Sequence, residues 1–398
     1  MSIDGPWRAV ARGAGLLSPD GSIAATVFAE MTALATRTGA VNLGQGFPDE
    51  DGPAEVLEAA KRAIDEGVNQ YGLGRGNVLL REAIAAHQSR FYDIRLDPET
   101  EILVTAGATE GLAAALLALV DAGDEVVTFE PFYDAYGALI AMAGGRHVTA
   151  PLRAPDFAPD LDELERAVTD RTRVILVNNP HNPTGATFST EVLQRIVELA
   201  ERHDAYIVTD EVYEHLRFES AHVPIASLPG ASARTVSISS GGKTFSATGW
   251  KIGWVMARPE LITAIMAVKQ FLTFVNGAPF QPAIAAGLAL PDSYYSGFAG
   301  ALRAKRDLLS GGLASAGFDV FPSRATYFVV ADAAPLGVTD AVEFCRALPE
   351  RAGVVAIPLS AFYGEANRGQ ARTLVRFAFC KRVEVLEDAV QRLSGMTR

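Results

Sequence analysis

Cysteine is almost missing from this chain. Cys345 and Cys380 are the only two in 398 residues, too few for a disulfide framework and in keeping with a reducing, cytoplasmic setting. Long apolar runs are missing as well. Asp, Glu, Lys, Arg, Gly or Pro interrupts every stretch that approaches membrane length, so no spanning helix is expected. Arg8 and Arg12 sit near the amino terminus without an apolar core beside them, so no signal peptide is expected either. Positive charge is in deficit: 35 Lys and Arg against 47 Asp and Glu give a net charge of −12. That balance argues against a nucleic-acid or acidic-membrane partner. Histidine is sparse. His87, His147, His181, His203, His215 and His222 show no metal-ligand spacing in the sequence, so each is expected to be structural and no metal is expected. No internal repeat or low-complexity tract is present.

What remains is an ordinary globular composition, 49% hydrophobic and 21% charged, on a chain long enough for two domains. Four short strand-like runs carry the first signal. Residues 101–105, 173–177 and 205–209 lack polar alternation and, with the short β-run 237–240, are separated by helical patterns, which predicts a buried, mostly parallel sheet in an α/β fold. Ligands bind such sheets beyond the carboxyl ends of the strands, and each run ends in polar chemistry. Gly107-Ala108-Thr109 precedes a helix expected over residues 110–120, whose free N–H groups suit a phosphate. Asn178 is followed by Pro180-His181-Asn182-Pro183-Thr184-Gly185, which could otherwise be a simple turn. Asp210 leads into Tyr213, and could otherwise be a helix cap.

The fourth run, ending at Ser240, leads through Gly241-Gly242 to Lys243, with Lys251 eight positions on. A lysine just past a strand end can form a Schiff base with a carbonyl compound. The hydroxyls of Ser240, Thr244 and Ser246, together with Lys251, could hold a phosphate on the same ligand. The cofactor that asks for both is pyridoxal 5'-phosphate. A carboxylate against its ring nitrogen would keep that nitrogen protonated, and Asp210 is the candidate. Asn182 and Tyr213 could donate to the phenolate oxygen, and Tyr133 could stack on the ring.

These segments, with Asn42-Leu43-Gly44-Gln45-Gly46-Phe47-Pro48-Asp49, Asn69-Gln70-Tyr71-Gly72 and Leu374-Val375-Arg376-Phe377, resemble the class I/II aminotransferases of pyridoxal-phosphate fold type I. Within that class the resemblance is to the kynurenine/glutamine transaminases and the actinobacterial N-succinyldiaminopimelate aminotransferases, from about residue 26 to the end. It implies a large cofactor domain with a mostly parallel central sheet and a smaller α+β domain. Residues 1–25 would form an amino-terminal arm, expected to be loose. Residues 26–50 and 291–398 would form the small domain, and 51–290 the large one. Helices are expected over residues 54–66, 191–203 and 294–316, and strands over 326–331 and 374–379.

The resemblance also implies roles. Lys243 would be the Schiff-base lysine and proton shuttle, Asp210 the partner of the ring nitrogen, and Tyr213 and Asn182 the phenolate donors. Asn178 would line the site and Tyr133 would stack. Gly107, Ala108, Thr109, Ser240 and Lys251 would bind the phosphate, joined by Tyr71 from a second subunit of a homodimer. Arg376 would clamp the substrate α-carboxylate, a task suited to its planar fork. Gly46 and Asn182 would help bind that substrate. Two departures stand out. Ala325 replaces the usual glycine, which would matter if that site needs positive φ. Asn276-Gly277 stands where kynurenine-type relatives place an aromatic that reaches the partner's pocket, leaving room for a longer or more polar substrate.

The expected function is transfer of an amino group between an L-amino acid and a 2-oxo acid. The donor would be N-succinyl-LL-2,6-diaminopimelate or a glutamine, methionine or aromatic amino acid, with 2-oxoglutarate as acceptor. The alternative is a C–S β-lyase on the same scaffold. A cofactor-sensing, DNA-binding regulator is disfavoured, because no segment of about 100 residues precedes the cofactor domain.

Overall fold

The computed structural model describes residues 5–18 and 20–396. Its centre is an eight-stranded sheet. The strand order is Ile102–Ala106, Ile252–Met256, Thr235–Ser240, Tyr206–Asp210, Thr172–Asn178, Glu125–Glu130, Arg146–Arg153 and Ala158–Pro159. The pairings from Thr235–Ser240 through Arg146–Arg153 are all parallel. Ile252–Met256 runs against its two neighbours, which leaves Ile102–Ala106 pointing with the parallel set. The central strands are buried almost end to end, as the unbroken apolar runs require of a sheet covered on both faces.

A four-stranded antiparallel sheet lies in the carboxyl-terminal part, in the order Asp319–Val320, Phe328–Asp332, Leu374–Ala378, Ile357–Pro358. Helices Asp292–Ser315, Ala341–Ala352 and Val383–Ser394 accompany it. Val41–Asn42 pairs in parallel with Val354–Val355, so this early segment packs with the carboxyl-terminal residues. Buried side chains of the antiparallel sheet continue into those of the central sheet without a break.

The expected elements form with small shifts. The helices run Ala54–Asp65, Thr190–Arg202 and Asp292–Ser315, and the strands Phe328–Asp332 and Leu374–Ala378. Ser189 caps one helix by accepting from the Val192 N–H, so the hydroxyl sets the start one residue ahead of the expected one. A larger difference lies at the helix after Ile102–Ala106. It begins at Gly107, not at residue 110, which puts Gly107, Ala108 and Thr109 inside its first turn. The amino-terminal segment is also not loose throughout. Trp7–Gly13 is helical and packs on the helix Asp134–Met142. Among the described residues, no helix is long and apolar enough to cross a membrane.

Candidate active site

A cleft of about 320 Å³ opens at the carboxyl edge of the central sheet. Of the site residues named from the sequence, all but Tyr71, Thr244 and Ser246 line it. Parallel pairing makes this happen. Asn178 lies opposite Asp210 in the sheet, Asp210 lies opposite Ile238, and Ser240 ends the next strand.

One end of the cleft is built for an anion. The helix Gly107–Leu119 points its free N–H groups and positive dipole end into it. Gly107 has φ +73°, and a Cβ there would come within 3.4 Å of the Lys251 Nζ, so glycine keeps the cation close to the helix start. Ser240 and Thr248 add hydroxyls to this wall, whereas Thr244 and Ser246 do not line the cleft. Thr244 is buried, and its carbonyl accepts the Tyr294 hydroxyl, so the one-turn helix Gly241–Thr244 aims only Lys243 at the cavity.

The floor holds Asp210, only 5% exposed. Its Oδ2 accepts the Tyr136 hydroxyl at 2.7 Å. The Asp210 Oδ1 meets the Val212 N–H at 3.4 Å, and no helix starts there, so the carboxylate is not a helix cap. Asn178 Nδ2 donates to the Asp210 carbonyl at 2.9 Å, and the Asn178 Oδ1 accepts the Asn182 N–H at 2.7 Å. The Asn178 side chain thereby ties the Asn182 loop to the end of the neighbouring strand. The Lys243 Nζ sits 6.0 Å from the Tyr213 ring centre and 5.7 Å from that of Tyr327.

The opposite end carries Arg376, buried to 2% exposure in the strand Leu374–Ala378. It is not a surface ion pair. Its Nη1 donates to the Asn182 Oδ1 and its Nη2 to the Gly44 carbonyl, both at 3.0 Å. The rings of Phe328, Phe362 and Phe28 lie 3.9, 4.5 and 5.6 Å from its Cζ. Gly46 packs on the Phe328 ring so closely that a Cβ would sit 2.4 Å from it, and the Tyr327 hydroxyl donates to the Gly46 carbonyl.

The sequence model of the family Aminotransferase class I and II matches residues 38–393. The chain is 54% identical over 382 residues to the probable N-succinyldiaminopimelate aminotransferase DapC of Mycobacterium tuberculosis, covering 93% of this chain and 96% of that one. It is 38% identical to the methionine aminotransferase of Escherichia coli, covering 92% and 95%. The solved N-succinyldiaminopimelate aminotransferase from Mycobacterium tuberculosis superposes with a TM-score of 0.93 at 51% identity, over 100% of both chains. A putative kynurenine aminotransferase from Saccharomyces cerevisiae gives 0.90 at 30%, over 99% and 98%.

The chain belongs to the class I and II aminotransferases.

Its fold is therefore fold type I, and its cofactor is pyridoxal 5'-phosphate. The residues present fit that group: an anion cup, a buried carboxylate and a lysine converge on one cavity. The electrostatics of the aminotransferase agree. Burial, with Lys251 and Arg376 nearby, holds the Lys243 ammonium below its ordinary value, which favours the nucleophilic amine. Burial pushes the Asp210 carboxyl up, and the Tyr136 hydroxyl pulls it back toward the charged form. Burial raises the Tyr213 phenol beyond any working pH, so it remains a donor. Burial lowers the Arg376 guanidinium to about 10, which still leaves it charged near neutrality.

The aminotransferase structure also places the remaining residues singled out in the sequence. Tyr71, expected to serve a partner's site, lies outside its own chain's cleft at 83% exposure, with its ring edge-on to Phe274 at 5.6 Å. Asn276 donates to the Lys251 carbonyl of its own chain at 3.0 Å, because Gly277 at φ +51° turns the backbone beside it. Ala325 is not at positive φ. The left-handed residue is Thr326, at φ 67°, whose N–H is tied to the Leu216 carbonyl at 2.7 Å. The histidine spacing also concealed a cluster: His87, Glu214 and His215 bring their ligand atoms within 4.8 Å of one another. The two Nε2 atoms are 2.6 Å apart. That is a hydrogen bond, shorter than the roughly 3.3 Å between two nitrogens on a tetrahedral zinc. Tyr136 was missed altogether. Its signal was its position three residues after Tyr133 at the start of one helix, which puts both on one side.

Proposed function

We propose that the amino donor is N-succinyl-LL-2,6-diaminopimelate and the acceptor 2-oxoglutarate. The observation that carries this is the 54% identity, over 93% of the chain, to the probable N-succinyldiaminopimelate aminotransferase. Asn276-Gly277 supports it by leaving space that a bulky aromatic would fill. When bound, pyridoxal 5'-phosphate supplies the carbonyl that takes up the amino group and the ring that draws electrons from Cα.

The chain's residues then divide the work. Gly107, Ala108, Thr109, Ser240 and Lys251 hold the phosphate. Asp210, steadied by Tyr136, keeps the proton on the ring nitrogen. Tyr213 and Asn182 donate to the phenolate oxygen, Asn178 holds the Asn182 loop, and Tyr133 stacks. Lys243 holds the cofactor between turnovers. Its neutral Nζ, once free, would take the proton from the donor's Cα and would pass it on to the cofactor rather than return it to Cα, the net movement that amino transfer requires. Arg376 pairs with the α-carboxylate beside Gly46 and Asn182. The pairing is strong because its aromatic walls exclude water.

The protein acts as a homodimer in this reading, with exposed Tyr71 completing the partner's phosphate site. A cytoplasmic setting fits the two buried free thiols, Cys345 and Cys380.

A donor panel tests the substrate. The reconstituted enzyme with 2-oxoglutarate is expected to prefer N-succinyl-LL-2,6-diaminopimelate over glutamine, methionine and kynurenine by at least about tenfold in kcat/KM, ~1.4 kcal/mol. A higher kcat/KM for any of the other three overturns the assignment. Pyruvate release from a cysteine conjugate at a comparable rate would mark a β-lyase instead.

A further inference from the structure

Glu130 ends a central strand on the site edge yet does not line the cleft. It is 1% exposed, and among the described residues no cation pairs with it. A buried carboxylate without a cation is costly unless its oxygens are hydrogen-bonded. Glu130 Oε1 accepts the Gly364 N–H at 2.6 Å, and Oε2 accepts Asn367 Nδ2 at 2.6 Å and the Thr149 hydroxyl at 3.4 Å. Two residues on, the Phe132 N–H donates to the Phe362 carbonyl at 2.9 Å. Every one of these bonds except that to Thr149 reaches the same carboxyl-terminal segment, residues 359–371.

That segment carries Phe362, which lines the cleft 4.5 Å from the Arg376 guanidinium and meets Phe28 edge-on at 5.8 Å. On the other side of Glu130, three residues along, stands Tyr133 at the cavity wall. The carboxylate thus joins the wall beside the cofactor to the wall beside the substrate carboxylate.

We propose that Glu130 is a positioning residue that sets substrate affinity by latching residues 359–371, and with them Phe362, over Arg376. Release of the latch lets Phe362 withdraw and water reach the guanidinium, which weakens its pairing with a carboxylate. The amino donor and the 2-oxo acid both present an α-carboxylate, so both are affected alike. Lys243, Asp210 and the phosphate cup lie outside the latched segment and are not. The inference rests on aminotransferase activity and not on the donor's identity. Any donor the wild type turns over serves, so failure of the succinylated donor leaves the test intact.

The test compares Glu130→Ala, Glu130→Gln and Asn367→Ala in the full-length, reconstituted enzyme. KM for donor and 2-oxo acid should rise together, about tenfold in Glu130→Ala and about threefold in the two milder variants, with kcat within about threefold of wild type. Affinity for pyridoxal 5'-phosphate should be unchanged. In the cofactor-free protein, trypsin should cut after the exposed Arg368 and Arg372 faster in the same order of variants. Glutamine keeps one carbonyl acceptor and so rescues in part. If Glu130→Ala does not fold, the two milder variants decide. An unchanged KM in both of them overturns the proposal, as does a loss of cofactor affinity in step with KM.

Discussion

Replacing Tyr136 with phenylalanine removes one hydroxyl from the buried floor of the cleft and leaves the ring's packing in place. Tyr136 is 2% exposed and its hydroxyl donates to the Asp210 Oδ2 at 2.7 Å. Among the described residues, the only other donor to that carboxylate is the Val212 N–H, at 3.4 Å. A hydrogen bond to a charged group contributes about 1.5–3 kcal/mol net. Its loss therefore pushes the Asp210 carboxyl further up, on top of the rise that burial already causes. A carboxylate less willing to be charged holds the ring nitrogen's proton less firmly. The combined fall in cofactor affinity and kcat should be about 10- to 150-fold. Asp210→Asn, which removes the charge outright, should cost at least about 100-fold in kcat. The assay reconstitutes cofactor-free Tyr136→Phe with pyridoxal 5'-phosphate, follows binding by visible absorbance, and measures steady-state turnover. Unchanged binding and turnover in Tyr136→Phe, with Asp210→Asn crippled, would refute the reasoning. Asp210 would then be kept charged by something other than this bond.

Three further outcomes are expected. Lys243→Ala should lose transamination while still binding pyridoxal 5'-phosphate noncovalently, and turnover near wild type would remove Lys243 from its role. Because the Lys243 ammonium lies below its ordinary 10.5 in the folded protein, the cofactor-free protein binds fewer protons than its unfolded chain in that window. The contribution of this group to stability is therefore present at high pH and lost as pH falls through the folded value. Lys243→Met should flatten that slope in urea titrations of the cofactor-free protein, and an unaltered slope contradicts the buried amine. Mixing inactive Lys243→Ala with inactive Tyr71→Ala chains should restore partial activity through one composite site per mixed dimer. A fully active monomer in sedimentation would exclude Tyr71 from the site.

The chemistry of this protein was legible in its residues because each key group sits at the end of an apolar run. A run buried on both faces reads as a parallel strand wherever it occurs, and a parallel sheet sends all such ends to one edge. Asp210, Asn178, Ser240 and Lys243 could therefore be assigned to one site before any contact was known, and the family resemblance added Arg376 and Gly46. Helix boundaries were fixed less well, because local capping decides them. The helix at Gly107 starts three residues early through a left-handed glycine that no apolar period reports. What only the tertiary structure decided is which side chains meet across long separations. The Tyr136–Asp210 bond spans 74 residues and the Arg376–Asn182 bond 194. Glu130 reaches Asn367 across 237, and His87 reaches His215 across 128. Periodicity is a property of neighbours in the chain, so it can place a residue on a face or at a strand end. The partner of a buried polar atom is set by how separate elements pack, and that is where Tyr136, Glu130 and the aromatic walls of Arg376 became visible.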